Sequence, residues 1–267
     1  MAVVNLDLYS YELAMNTQVA MILPERRGVR HEIHPGDYPV LYLLHGHGQD
    51  YTSWLRLSRI DLYLQQSDVI VVMPNTNRGF YVDGDRTHRY GSYLAVELPT
   101  ALRNWFHITG DREKTFIAGM SMGGYGSMHA AFSHPEEYGA VCAMSTCIRM
   151  SADISKGQAD KGLAIPDMPE VAQNFENVFG PDELYDGGEY DLKALVKKLD
   201  GTDGPKPRLL QLCGTEDPLL EQNEDFAAYV KENCPHLDCR FETSPGVHDF
   251  YYWDSQCRTM LEFFGII

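Results

Sequence analysis

A short apolar run, Phe116-Ile117-Ala118, leads directly into Gly119-Met120-Ser121-Met122-Gly123-Gly124-Tyr125-Gly126, and no other stretch of the chain restricts its fold so tightly. The run reads as a buried strand, and the small and apolar residues from Tyr125 to Phe132 read as a helix. Gly-x-Ser-x-Gly between a strand and a helix demands a turn so tight that bulk at Gly119 or Gly123 would collide where the two elements cross. Held in that strained backbone, Ser121 projects its hydroxyl above the sheet edge, and the Met122 amide and the helix N-terminus point at the same spot. The expectation is a nucleophile beside a donor for an oxyanion. Because glycine and serine are common in this chain, the pattern carries weight only if partners for the serine lie at the right places.

The 267 residues suffice to bury a large core and match the usual size of one α/β domain, so a single domain over residues 1–267 is expected. A net charge of −16 repels polyanions and argues against a nucleic-acid partner. The N-terminus, Met1 to Leu8, lacks a basic segment and carries Asp7 inside its apolar stretch, so it resembles a strand rather than a signal peptide. No apolar run approaches the roughly 18 residues a membrane helix needs, and a cytoplasmic location is expected. The 6 cysteines show no C-x-x-C spacing and several sit in apolar runs, which points to buried, reduced thiols.

Taken in order, Val3 to Tyr11 and Gln18 to Leu23 alternate as an antiparallel hairpin, followed by a polar loop to Asp37. Tyr38 to Leu44 is apolar without alternation, as a central strand covered on both faces must be. It ends in His45-Gly46-His47-Gly48-Gln49-Asp50, a glycine-rich turn at a strand's carboxyl end, where open α/β sheets bind ligands. The His47 amide is the candidate second oxyanion donor. A metal site on His45, His47 and Asp50 is the competing reading; it is disfavoured because side chains around glycines share no imposed direction and no further ligand cluster is evident. Trp54 to Gln65 reads as one helix, Val69 to Met73 as a buried strand, and Glu97 to Phe106 as a further helix. Between these last two, the loop from Arg78 to Tyr93 either walls a pocket or orders a surface, a choice its composition leaves open.

Strand and helix alternate in this way up to and beyond the serine, with another buried strand at Tyr138 to Met144. Such alternation marks an α/β fold with a mostly parallel sheet and helices on both faces. Regularity lapses from Ser145 to Pro207, apart from a helical piece at Asp191 to Leu199. That region reads as a lid-like or pocket-shaping insertion, because Phe175, Val178, Phe179, Leu184 and Tyr185 still need cover. Periodicity then returns as strand (Arg208 to Cys213), helix (Leu219 to Asn233), strand (Asp238 to Thr243) and closing helix (Tyr252 to Phe264).

A serine hydroxyl needs an imidazole to take its proton and a carboxylate to fix the imidazole's tautomer. Asp217 follows one late strand and His248 follows the next, so both loops open on the edge where Ser121 stands, in the chain order serine, acid, histidine. Glu216 and Asp249 are alternative acids; Asp217 leads because Pro218 begins the next helix. Among the other histidines, His31 and His34 fall in the early polar loop, His129 and His134 near the serine's own helix, and His236 in a polar turn.

Leu43-Leu44-His45-Gly46 with Trp54 downstream, Val71-Val72-Met73-Pro74-Asn75, the serine motif, Gly214-Thr215-Glu216-Asp217 and Val247-His248-Asp249-Phe250-Tyr251-Tyr252-Trp253 together resemble the esterase D family. The likeness is greatest to bacterial tributyrin or acetyl esterases, relatives of feruloyl esterases and S-formylglutathione hydrolases. It implies an α/β-hydrolase fold, no cofactor and no metal, a triad on Ser121, Asp217 and His248, and oxyanion amides on Met122 and His47. His45, Gly46, Trp54 and Tyr81 are the candidate substrate-binding residues. The expected activity is hydrolysis of short-chain acyl esters through an acyl-enzyme, acting on a small-molecule ester, with a homo-oligomer left open. The alternatives are a feruloyl or cinnamoyl esterase, an S-formylglutathione hydrolase, or a catalytically silent ligand-binding member of the fold. S-formylglutathione hydrolases typically carry a cysteine shortly after the oxyanion-loop glycine, where this chain runs Gly46-His47-Gly48-Gln49-Asp50.

Overall fold

Every residue of β3 (Val40–Leu44), β4 (Ile70–Pro74), β5 (Thr115–Met120) and β6 (Ala140–Met144) is buried, as expected of strands sandwiched between two layers. The computed structural model describes residues 1–25, 37–84, 86–160, 168–181 and 185–267. Most of the early polar loop, with His31 and His34, and also Asp85 and Leu184, lies outside the described residues.

β1 (Ala2–Ser10) and β2 (Met15–Leu23) form the expected antiparallel hairpin, and β7 (Arg208–Gly214) and β8 (Cys239–Ser244) complete an eight-stranded sheet in the order β1-β2-β4-β3-β5-β6-β7-β8. β2 meets β4 antiparallel, and all pairings from β4 to β8 are parallel. This places the carboxyl ends of β3, β5, β6, β7 and β8 along one edge.

Successive side chains on a strand point to opposite faces, so each central strand feeds two cores. Val40, Tyr42 and Leu44 enter one, Leu41 and Leu43 the other. The second core is covered by α1 (Ser53–Leu57), α2 (Ile60–Tyr63) and α10 (Phe250–Phe264), through Trp54, Ile60, Trp253 and Met260. The first is covered by α4 (Leu98–Trp105), α5 (Met122–Ser133), α7 (Met168–Phe179), α8 (Leu192–Asp200) and α9 (Leu220–Asn233). Each fully buried aliphatic or aromatic side chain contributes about 1.5–3 kcal/mol, which makes this two-sided burial the main stabilising term.

Three segments differ from the sequence reading. The single helix expected over residues 54–65 is two short ones: the Ser58 hydroxyl bonds the Trp54 carbonyl at 2.6 Å, and the Asp254 carboxylate takes the Arg59 N–H at 2.7 Å and its Nε at 2.8 Å. A contact with α10 therefore overrides local helix propensity. The helix expected from Glu97 begins earlier, with α3 (Tyr90–Ser92) and a π-helical turn at Tyr93–Glu97. Pro99 accounts for the wide turn, since a proline ring collides with the carbonyl four residues before it, here Ala95. The region from Ser145 to Pro207 holds more helix than its composition suggests, with α6 (Ala152–Asp160) and α7 in addition to α8.

α7 shows why Phe175, Val178, Phe179 and Tyr185 need cover. Phe175 and Phe179 pack at 5.3 and 5.2 Å from Phe80, Phe179 at 5.1 Å from Tyr125 of α5, and Tyr185 at 5.3 Å from Phe175. The Tyr185 hydroxyl donates to the Ile148 carbonyl at 2.8 Å, and Asn174 donates to the Arg78 carbonyl at 2.7 Å. Phe80, Tyr81, Val82, Tyr90 and Tyr93 are thereby buried, so the loop after β4 joins the core rather than ordering a surface.

Candidate active site

β5 delivers the chain into the turn at Ser121, whose φ of 56° and ψ of −117° lie in a region that non-glycine residues rarely adopt. Its amide is held by the Met144 carbonyl at 2.9 Å, and its carbonyl accepts from Tyr125 at 3.1 Å and Cys147 at 3.2 Å. The turn exists because the crossing backbones touch: a Cβ on Gly119 would lie 2.3 Å from the Gly123 carbonyl oxygen, and one on Gly123 would lie 2.5 Å from that of Leu44. Helix α5 starts at Met122, so the Met122 amide is one of the first N–H groups that no helical carbonyl can reach.

From this serine a continuous line of hydrogen bonds runs across three strand-end loops. Ser121 Oγ stands 3.0 Å from His248 Nε2, and His248 Nδ1 stands 3.0 and 3.1 Å from the two Asp217 oxygens. With an ionised carboxylate at Nδ1, the ring proton sits on that nitrogen and Nε2 is left as an acceptor for the serine proton. Burial alone would raise the Asp217 carboxyl. The charge of His248, with hydrogen bonds from His248, the Leu219 amide and the Ser145 hydroxyl, outweighs that and holds it below its usual range. Asp217 is therefore an anion at neutral pH.

The alternative acids are occupied elsewhere. Glu216 accepts from the Gly246 amide at 2.8 Å, and Asp249 caps α10 by accepting from the Tyr252 amide at 3.0 Å. His236 pairs with Asp200 at 3.0 Å, His134 lies 3.6 Å from Glu136, and His129 stacks on Tyr125.

The loop after β3 closes the other side. A Cβ on Gly46 would lie 3.5 Å from the Ser121 Cβ, which measures how near the Gly46-His47 backbone comes to the serine. His45 holds that loop from beneath. Its Nε2 accepts the Thr76 amide at 3.2 Å, its Nδ1 donates to the Gly46 carbonyl at 2.8 Å, and its own carbonyl accepts the Tyr81 hydroxyl at 2.9 Å. Burial pushes the His45 imidazole down to about 4, which keeps it neutral and suited to one donated and one accepted bond. Trp54 donates to the Leu44 carbonyl at 2.9 Å. Thus His45, Trp54 and Tyr81, expected at the substrate, are all buried with polar atoms turned to backbone, and they brace the loop wall. Asp50, part of the competing metal reading, is bonded to the Thr52 amide at 2.8 Å and its hydroxyl at 2.6 Å. Among the described residues no group of three or more metal-ligating side chains gathers.

Sequence reasoning passed over Gln49, whose side-chain oxygen accepts the Gly46 amide at 3.1 Å and closes the turn. It also passed over Ser145, at the carboxyl end of β6. The rule that sites lie at strand carboxyl ends would have flagged both. The cysteines are free and mostly buried; burial pushes the Cys147 thiol, near the serine turn, up to about 12, so it is a neutral thiol.

A mostly parallel sheet with a serine elbow, an imidazole and a carboxylate meeting at its carboxyl edge defines an α/β-hydrolase. The chain matches the family model described as "Putative esterase" over residues 10–264, and it belongs to that family. It is 29% identical to an acetyl esterase of Caldicellulosiruptor saccharolyticus, over 98% of this chain and 97% of the relative. Substrate-bound FphF, a fluorophosphonate-binding serine hydrolase of Staphylococcus aureus, superposes with a TM-score of 0.83 at 27% identity, covering 98% of each chain. S-formylglutathione hydrolase (FrmB) from the same organism superposes with a TM-score of 0.79 at 26% identity, again covering 98% of each. The protein is thus an enzyme of the carboxylic ester hydrolase class.

Proposed function

We propose that the protein hydrolyses short-chain acyl esters through an acyl-enzyme on Ser121. The observation that carries this reading is the line of hydrogen bonds from Ser121 Oγ through His248 to Asp217, each link within 3.1 Å. His248 Nε2 takes the serine proton as Oγ attacks the ester carbonyl, and Asp217 steadies the imidazolium that forms. The amides of Met122 and His47 receive the negative charge on the carbonyl oxygen. The tetrahedral adduct collapses as His248 returns the proton to the departing alcohol, leaving the acyl group on Ser121. A water molecule, deprotonated by the same imidazole, then attacks the acyl carbon and releases the acid.

Preference for a small acyl group is supported by the likeness to an acetyl esterase over nearly the whole chain. A second reading, hydrolysis of a formyl thioester, is favoured by the likeness to S-formylglutathione hydrolase. A series of p-nitrophenyl esters from acetate to octanoate, run beside S-formylglutathione and methyl ferulate, separates these readings. The expected outcome is highest kcat/KM on acetate or butyrate. Dominant turnover of the thioester or the ferulate would replace this assignment, and near-full turnover of p-nitrophenyl acetate by Ser121→Ala would overturn the mechanism.

A further inference from the structure

Behind the proposed triad, and resting on that reading, one indole joins a buried hydroxyl to the imidazole. Ser145 is fully buried at the carboxyl end of β6 with φ at 47°, a left-handed conformation held by its amide donating to the Leu212 carbonyl at 2.7 Å. Its Oγ accepts the indole N–H of Trp253 at 3.0 Å, and its hydroxyl helps hold the Asp217 carboxyl below its usual range. Trp253, on the first turn of α10, also sets its ring at 87° to the His248 imidazole with centroids 5.0 Å apart. His248 in turn meets the Asp217 carboxylate through Nδ1.

The direction of each bond follows from the donor inventory. An indole can only donate, so the Ser145 oxygen accepts from Trp253 and its single proton goes outward. The Cys213 thiol is also within reach of that hydroxyl, but sulfur is a weak acceptor and does not compete with a carboxylate. Asp217 accepts from His248 and from the Leu219 amide at 2.8 Å, and the Ser145 hydroxyl favours its ionised form. Because one indole contacts both the hydroxyl and the imidazole, the acid and the base are referred to the same rigid group.

We propose that Ser145 and Trp253 are positioning residues, which hold Asp217 and His248 in register for taking the proton of Ser121.

Two variants test this. Ser145→Gly removes the hydroxyl and suits the left-handed backbone, whereas Trp253→Phe removes the N–H and keeps an aromatic ring against His248. Each is expected to lower kcat on p-nitrophenyl acetate about tenfold with KM within about twofold, and to slow fluorophosphonate labelling in proportion. Residues acting as one unit are not additive, so the double variant is expected to lose about tenfold rather than about a hundredfold. Wild-type kcat and labelling in both folded single variants, or a loss confined to KM or to melting temperature, overturns the proposal. If Ser145→Gly does not fold, Trp253→Phe alone decides. Ser121→Ala, measured alongside, keeps two failures apart. No turnover there with wild-type kcat in both variants sinks only the positioning role, whereas retained turnover there sinks the triad as well.

Discussion

A Cβ placed on Gly214 would lie 2.2 Å from the carbonyl oxygen of Gly246, so the loops after β7 and β8 touch backbone to backbone. Around that contact the Thr215 amide donates to the Ser244 carbonyl and the Glu216 amide to the Gly246 carbonyl, both at 3.0 Å. These loops carry Asp217 and His248, and the seam between them sets the separation of those two side chains. Gly214→Ala is therefore expected to lower kcat at least about tenfold and to cost about 1–3 kcal/mol of stability, although it removes no polar group. Ester turnover and urea unfolding read the two effects, and unchanged kcat would contradict the role of the seam.

Asp217→Asn keeps the shape of the acid and removes its charge. The expected fall in kcat is about 10³- to 10⁴-fold, with KM little changed, because an amide does not fix the imidazole tautomer. The carboxyl also shapes stability against pH. Its folded pKa lies below the unfolded value, so its contribution is complete above 3.8 and is lost as pH falls through the lower folded value. Urea midpoints taken down to acid pH should show that loss in the wild type and not in Asp217→Asn.

His45 acts on a different pH window. Its folded value of about 4 lies below the usual 6.5, so between these the unfolded chain binds the proton and the native state does not. Stability should decline as pH drops from 6.5 towards 4, and His45→Phe should flatten that decline. The same substitution strands the Thr76 amide, at a cost of about 1–3 kcal/mol, and lowers kcat by freeing the loop that carries the His47 amide. A His45→Phe enzyme with wild-type kcat and the wild-type pH slope would contradict the bracing role.

Phe179 of α7 touches Phe80, Tyr125, Phe175, Tyr185 and Tyr190. Phe179→Ala should cost about 3–5 kcal/mol through the cavity it leaves. Thermal unfolding checks the magnitude. Unchanged stability would mean that the helices between β6 and β7 are not tied to the rest of the core.

The serine turn was legible in the sequence because its chemistry is local: glycines at 119 and 123 are demanded by backbone crossings that involve few residues. Asp217 and His248 were legible for a related reason, since each directly follows a strand end. The break at Ser58-Arg59 was hidden because Asp254, remote in sequence, supplies it. α7 has an apolar stripe at Val171, Ala172, Phe175, Val178 and Phe179, yet it sits among Gly, Pro and acidic residues that masked its period. The bracing role of His45 depends on Thr76 and Tyr81, which no local pattern connects to it. The sequence reading put His45 at the substrate, and the structure shows its ring bonded to the Thr76 amide and the Gly46 carbonyl.

Intact-mass spectrometry after incubation with a fluorophosphonate probe tests the nucleophile most directly. A single adduct that maps to Ser121 in the wild type, is absent from Ser121→Ala and forms far more slowly in His248→Ala is the predicted result. An adduct of the same yield on Ser121→Ala, or none on the folded wild type, would contradict it.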